Sequence, residues 1–366
     1  MFFKSNVCHG TIVGWPAFRV GFFDDLGKRL MILFVIRFLL ATAFYMFITI
    51  SNYYSVIAGI IFVAGFRSFL IFSPLIHKVF EKKDLLISLI ISAIGVILYF
   101  SNFYIVGATL ASLGLSVSGF IFKSIASETP STSAMNKIAI TSGNIGAGLI
   151  LYAIDNQKHL VFLIITILLI IPCFINIESL RKKRISNLIM GSINNKLANM
   201  IWILFGIAIG IRVFGMYIIM PNYLISNLGA LPSWYGIILV SYGLLVILTQ
   251  IPSLGNKYSI SLNASIIALG VSCIIMGLPS LFTIETFIGA LIWSTCLAIE
   301  EVFAPYIDFH AAKSNHLLIK EVSIGIGGGI CFLFTKVFSK VEYLSLISVI
   351  LIICGYTLYQ RCKANL

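Results

Sequence analysis

Five ionisable residues stand inside long apolar stretches of this chain, and their types could do chemistry there. They are Arg37, Arg67, Arg212, Glu300 and Glu301. An ionisable side chain in apolar surroundings is costly, so its presence indicates a partner, a route to water or a function. An arginine can bind an anion, and a carboxylate can take up and release a proton.

Arg212 is the deepest of these residues. It lies about twelve residues into its apolar run, or about 18 Å at 1.5 Å per residue of helix. That depth is near the middle of a bilayer core about 30 Å thick, too deep for the side chain to snorkel easily. Arg37 and Arg67 stand near the ends of their runs and are interpreted mainly as topological. Arg212 has two open interpretations, a structural pair with a nearby carboxylate or an anion-binding group in a central cavity.

The composition indicates that the helices that position these residues lie in a membrane. Hydrophobic residues make up 59% of the chain and charged residues 10%, whereas soluble domains are nearer half apolar and a quarter charged. About twelve runs are long enough to cross a bilayer as helices, which takes roughly 20 apolar residues each. We therefore predict an all-α integral membrane protein with about twelve transmembrane helices.

The basic residues predict the orientation of the chain. The net charge is +12, but the lysines and arginines lie in alternate short loops and not on one continuous face. That pattern favours a membrane topology with both termini in the cytoplasm, and it argues against binding of nucleic acid. We expect a multi-pass protein of a bacterial inner (plasma) membrane.

The longest polar segment divides the chain into two halves. It contains the basic run "RKKR" and falls between the sixth and seventh predicted spans. The predicted organisation is an interfacial or cytoplasmic segment 1–29, a six-helix half 30–177, a cytoplasmic basic linker 178–199 and a six-helix half 200–366.

The two halves repeat each other in sequence. "FYMFITISNYY" from Phe44 matches "FGMYIIMPNYL" from Phe214, and "SGNIGAGLI" from Ser142 matches "SIGIGGGIC" from Ser323. The matches keep their order at a spacing of about 170 to 180 residues, as expected of an internal repeat. Transporters are often built from such repeats, with the substrate site where the repeats meet.

The repeat indicates which helix faces meet at the centre. Thr42, Tyr45 and Asn52 share the polar stripe of the first span, and the repeat carries Thr42 onto Arg212 and Asn52 onto Asn222. We therefore predict that these five residues line a central cavity as the substrate-binding group.

The tenth span supplies the acids. The repeat places Trp293 and Glu300 on its cavity face, while Glu301 points about 100° away because a helix has 3.6 residues per turn. Trp293 is added to the predicted substrate-binding residues. Both Glu300 and Glu301 are predicted proton-coupling residues, with Glu300 favoured; the alternative is a glutamate neutralised by Arg212, Lys123 or Lys320.

Two segments resemble a known family. "PSLGNKY" from Pro252 and, more weakly, "SPLIHKV" from Ser73 resemble the loop signature that follows the second helix of each half in the major facilitator superfamily. The stretch "YGIILVSYGLLVILTQIPSLGNKY" is also similar to that family's eighth helix. The resemblance covers about 30–362 and implies six plus six helices around a cavity lined by helices one, four, seven and ten.

The resemblance implies a secondary transporter that moves a small solute by alternating access. We expect a proton gradient as a partner and the monomer as the working unit. The predicted solute is polar or amphipathic and anionic or zwitterionic, and similarity around the eighth span favours export by proton antiport, as for metallophores or drugs. The alternative is a sensor of similar fold that no longer transports, or a membrane-embedded enzyme.

Glycines and absent motifs complete the prediction. Gly146, Gly148, Gly327 and Gly329 are predicted to allow close helix packing and movement during gating.

No Walker loop, GxSxG or HExxH sequence is present, so we expect neither ATP hydrolysis, nor an enzyme, nor a cofactor. Glu301, Asp308 and His310 have no familiar metal-ligand spacing, and no metal site is predicted.

Overall fold

The computed structural model describes residues 25–80, 83–127, 129–153, 158–174, 196–229, 232, 234–254, 260–337 and 341–364. Over these residues the chain forms twelve helical segments, which we number α1 to α12. The predicted N-terminal segment 1–29 and linker 178–199 lie mostly outside the described residues.

The first six segments form the N-terminal half. They are α1 (Asp25–Tyr54), α2 (Val56–Ser68, continued by the turn Phe69–Phe72 and the helix Ser73–Phe80), α3 (Asp84–Phe100), α4 (Tyr104–Ala126), α5 (Pro130–Ala153) and α6 (Lys158–Ile170, continued by the turn Ile171–Phe174).

The second six form the C-terminal half. They are α7 (Lys196–Leu228), α8 (Tyr235–Leu254), α9 (Leu262–Met276), α10 (Phe287–Glu300, the turn Glu301–Phe303 and the helix Ala304–Lys313), α11 (Leu317–Phe332, continued by Leu333–Val337) and α12 (Glu342–Ala364).

The two halves have the same internal packing. α1 packs against α5 as α7 packs against α11, α2 against α4 as α8 against α10, and α3 against α6 as α9 against α12. The halves meet where α2 contacts α11 and where α5 contacts α8, and these two contacts are equivalent under the repeat. We call this interface the seam.

Most of the twelve segments suit a bilayer. By length and composition α1, α4, α7, α10, α11 and α12 are each long and apolar enough to cross a membrane, and α2, α3, α6, α8 and α9 contain shorter apolar helices. α5 reaches neither standard, because it carries several polar side chains along its length. Such a helix is expected to face other helices or a water-filled path and not lipid.

Glycines bring the central helices of each half close together. A Cβ atom added at Gly210 of α7 would lie 2.1 Å from the carbonyl oxygen of Ile324, and one added at Gly327 of α11 would lie 2.1 Å from that of Ile207. Gly143 of α5 approaches α1 in the same way, 2.8 Å from the oxygen of Phe38. Only a residue without a side chain allows such backbone contact.

The other glycines selected from the sequence have looser surroundings. A Cβ at Gly146 would lie 3.3 Å from the ring of Phe38, and one at Gly329 would lie 3.4 Å from the Cβ of Ala64 across the seam. At Gly148 no atom lies within 4 Å of the added Cβ, and the residue is exposed. Gly327 therefore lies at a backbone contact and Gly148 on an open face.

These surroundings predict opposite effects of one substitution at two positions. Gly210→Ala should lower the free energy of unfolding by about 1–3 kcal/mol, because the methyl group forces α7 and α11 apart. Gly148→Ala should leave it unchanged or raise it by about 0.5–1 kcal/mol, because alanine favours the helix. Thermal unfolding of the purified variants in detergent measures both, and equal stability of the two variants would contradict the close approach.

Candidate functional site

A break in α10 creates the site. The α-helix stops at Glu300 and continues as the tighter turn Glu301–Phe303 before resuming at Ala304. Pro305 has no N–H, so the carbonyl of Glu301 loses its α-helical partner. The side chain of Gln250 on α8 donates to that oxygen at 2.9 Å. The N–H of Ala304 donates to the same oxygen within the tighter turn, so the carbonyl of Glu301 keeps two donors at a depth where an unpaired carbonyl is costly.

The break frees the carbonyl of Leu297, and Arg212 binds it. The N–H of Glu301 donates to Ala298 and Ile299, which leaves the carbonyl of Leu297 without its usual donor four residues on. Nη2 of Arg212 donates to that oxygen. The arginine at the midpoint of the 33-residue α7 therefore supports the broken helix of α10.

Arg212 also pairs with both acids at the break. Its Nε lies 2.8 Å from Oε2 of Glu300 and 3.0 Å from Oγ of Ser272. Its Nη1 lies 2.7 Å from Oε1 of Glu301 and 3.2 Å from the hydroxyl of Tyr242. All these partners belong to the C-terminal half, and the side chain of Arg212 is 2% exposed.

Glu301 joins this arrangement to the other half. Its Oε2 lies 2.7 Å from Nζ of Lys137 on α5, and the hydroxyl of Tyr242 donates to its Oε1 at 3.1 Å. We call Lys137, Arg212, Tyr242, Glu300 and Glu301 the central cluster. Its two cations and two carboxylates balance to zero formal charge.

The position of Glu301 differs from the prediction drawn from the repeat. That prediction turns Glu300 towards the centre and Glu301 towards a neighbouring helix, because it assumes that α10 is a continuous α-helix. In the structure Glu301 begins the tighter turn, and its carboxylate reaches across the seam while Glu300 stays with Arg212. The break redirects the second acid.

An aromatic and amide group lies farther along the same seam. The rings of Tyr45 on α1 and Tyr217 on α7 are 5.3 Å apart between centroids. Asn144 of α5 donates from Nδ2 to the hydroxyl of Tyr217 at 3.0 Å. Asn144 is seven residues from Lys137, so the two share one face of α5 about 10 Å apart.

Several residues predicted to bind substrate lie elsewhere. The hydroxyl of Thr42 donates to the carbonyl of Phe38 at 2.9 Å and faces Gly146, within the N-terminal half. Trp293 is fully buried and donates from Nε1 to the carbonyl of Ile275 on α9 at 2.9 Å. Asn222 is partly buried towards the end of α7, and the side chain of Asn52 lies outside the described part of the chain.

A second group of charges connects the halves at one end of the seam. We call Arg67, Lys123, Asp308, Lys320 and Glu321 the end cluster. Nζ of Lys123 lies 2.9 Å from Oδ2 of Asp308 and 2.8 Å from Oε1 of Glu321. Arg67 also pairs with Glu321, and Lys320 pairs with both acids. Because Arg67 and Lys123 belong to the N-terminal half, these pairs tie the halves together.

Among the described residues Arg37 has no ion pair with either cluster, and it donates to Asn136 of α5 at 3.0 Å.

Sequence reasoning missed the residues that complete the central site. They are Lys137, Asn144, Tyr217, Tyr242, Gln250 and Ser272. The low hydrophobicity of the fifth span was a usable signal, because Lys137 and Asn144 are spaced for one helix face. Among the described residues no group of three histidines, cysteines or acids could hold a metal ion.

Comparisons with known proteins support the fold. No family model matches the chain, and no curated protein matches it. The structure resembles the human organic anion transporter MFSD10 (TETRAN) with a TM-score of 0.60 at 9% identity, over 90% of this chain and 99% of that chain. It also resembles the major facilitator superfamily transporter FucP in the outward conformation, with a TM-score of 0.59 at 13% identity, over 90% of this chain and 97% of that chain.

These similarities cover both halves, so the chain has the fold of the major facilitator superfamily. The predicted all-helical architecture of about twelve spans in two six-helix halves is confirmed. Together with the apolar helices, the fold identifies a multi-pass membrane protein.

The contacts of Arg212 predict a large loss of stability on its removal. Arg212→Met should lower the free energy of unfolding by about 3–5 kcal/mol, because two buried carboxylates lose their shared cation. Arg361→Met provides the matched control at an exposed position of α12 and should change it by less than about 0.5 kcal/mol. Thermal unfolding in detergent compares them, and equal melting temperatures would contradict a supporting role for Arg212.

Proposed function

We propose that the protein is a secondary transporter that moves a small anionic or zwitterionic solute by alternating access between its two halves. The observation that carries this proposal is the central cluster, a buried set of charges that bridges the two halves of a major facilitator fold. Charges at such depth are retained where ions, protons or solutes move.

The end cluster supports alternating access. Its ion pairs hold α2 and α4 of one half against α10 and α11 of the other, so they must separate if that end of the seam is to open. We place that end at the cytoplasm of a bacterial cell, with both chain termini on the same side, because basic loops favour the cytoplasmic side of a membrane. With that orientation, the ion pairs of the end cluster support a state closed towards the cytoplasm.

The acids of the central cluster are the proposed proton carriers. Glu301 contacts cations of both halves, whereas Glu300 contacts Arg212 of its own half. A proton on Glu301 would remove a charge from the seam, which links protonation to the contact between the halves. We therefore assign the main coupling role to Glu301 and a supporting role to Glu300.

The nature of the solute follows from the groups along the seam. Lysine and arginine favour an anionic group, and the rings of Tyr45 and Tyr217 provide an apolar surface. One structural neighbour is named as an organic anion transporter, which agrees with this chemistry.

A reconstituted system tests the transport proposal. Thermal-shift screening of the purified protein against organic anions and zwitterions would first select ligands. Liposomes that contain the protein and a trapped pH-sensitive dye would then report proton movement when each ligand is added outside. Saturable ligand movement in protein-containing but not empty liposomes supports transport, whereas binding without any movement would identify a sensor.

Glu301→Gln should abolish ligand-dependent proton movement and flatten the pH profile of transport, because the carrier can no longer gain or lose a proton. The matched Glu342→Gln, at an exposed position that begins α12, should behave like the unmodified protein. Initial rates across a pH series measure both. An unaltered profile in Glu301→Gln would remove this residue as the carrier, and Glu300→Gln in the same assay would test the remaining acid.

A further inference from the structure

We propose that Lys137 is the residue that binds the anionic group of the solute, and that a proton on Glu301 makes it available. The ligand of this site is a small carboxylate whose apolar part reaches the rings of Tyr45 and Tyr217. This inference rests on the proposed transport function and specifies the solute class and the order of events at its site.

The two cations of the central cluster are engaged very differently. Arg212 is 2% exposed and directs its donors to groups of its own half. The side chain of Lys137 is 24% exposed, and among the described residues its ammonium has one ion-pair partner, Glu301. An ammonium has three donors, so Lys137 can bind a second acceptor. The donors of Arg212 already bind groups that stabilise the break in α10.

The charged or titratable groups around Glu301 come from four helices. α5 contributes Lys137, α7 Arg212 and α8 the hydroxyl of Tyr242, while Glu300 precedes it on α10. Tyr242 is neutral in this balance, so the two lysine and arginine charges cancel the two carboxylates.

That balance couples the proton to the anion. A buried cluster disfavours net charge because its members are removed from water. A proton on Glu301 gives the cluster a charge of plus one, and a solute carboxylate at Lys137 restores neutrality. The proton goes to the carboxylate of Glu301, the ion pair with Lys137 is replaced by an ion pair with the solute, and Arg212 keeps Glu300. No covalent bond is formed or broken.

The spacing of residues along α5 guides the choice of ligand length. Lys137 and Asn144 lie on one face about 10 Å apart, and Asn144 holds the hydroxyl of Tyr217. The ring of Tyr217 packs beside that of Tyr45. A ligand with its carboxylate at Lys137 and an aromatic or alkyl end about 10 Å away contacts both parts of the seam, as a phenylalkanoate does.

Joint binding has a consequence for the direction of transport. A carrier that binds a proton and an anion together moves both the same way, which is co-transport. The sequence favours export by proton antiport, in which proton and solute exclude each other. The charge balance of the central cluster supports co-transport.

Phenylbutyrate is a suitable probe, with phenylbutanol as a neutral analogue of the same length. Binding to the purified protein in detergent would be measured by calorimetry at about pH 5.5 and about pH 8, on either side of neutrality. The variants are Lys137→Gln, Lys137→Arg and Glu301→Gln. Lys313→Gln, at an exposed position of α10, is the matched control.

The unmodified protein and Lys313→Gln should bind phenylbutyrate at least about tenfold more tightly at the lower pH, which is about 1.4 kcal/mol. Glu301→Gln imitates the protonated acid and should bind tightly at both pH values. Lys137→Gln should bind at least about tenfold more weakly at the lower pH, and Lys137→Arg should restore binding. Phenylbutanol should show no dependence on pH.

Several results would overturn the inference. They are no binding of phenylbutyrate by the unmodified protein at the lower pH, equal binding by Lys137→Gln, and pH dependence that persists in Glu301→Gln. The proposed function fails separately. If the expected binding pattern is found but liposomes show no solute or proton movement, the site stands and transport is excluded; if transport is found with Lys137→Gln unimpaired, transport stands and the site is excluded.

Discussion

The guanidinium group of Arg212 at the break in α10 is the interaction on which the site depends. At the middle of a bilayer no water is available to satisfy exposed carbonyls or carboxylates. Arg212 satisfies two carboxylates and the carbonyl of Leu297 at once, and Gln250 donates to the carbonyl of Glu301 beside the N–H of Ala304. Conversely, the two acids keep a buried arginine neutralised. The broken helix and the buried charges therefore stabilise each other, and neither is expected in this position without the other.

The break has a second consequence, because it directs one of two adjacent acids out of the half that holds them. Glu301 remains fixed by Arg212 and Tyr242, yet its other oxygen contacts Lys137 of the opposite half. A change of charge at this carboxylate therefore alters ion pairs with both halves. The acids of the end cluster also pair with cations of both halves, but they lie at one end of the seam and not beside its aromatic part.

The sequence was sufficient for the architecture and insufficient for the site. Apolar runs, loop charges and the repeat predict two six-helix halves, because membrane thickness and helix geometry leave few alternatives. The depth of Arg212 in its span could also be inferred from the sequence. The direction of Glu301 was not, although Pro305 is visible four residues later, because a proline shows that a helix is disturbed and not how it turns. Trp293 illustrates the same limit, since a position on a helix face does not distinguish a cavity wall from a contact with α9.

An ion pair at the centre of the seam suits an interface that opens and closes, as the proposed transport requires. An apolar contact between the halves would be stabilised by burial and would resist every separation. A buried ion pair contributes little net stability, because the cost of removing its charges from water offsets most of their attraction. The pair of Lys137 and Glu301 can therefore be exchanged for a proton and an external carboxylate at little net free energy. In the proposed mechanism, such a contact closes the seam when the site is empty and becomes a binding site when proton and solute arrive together.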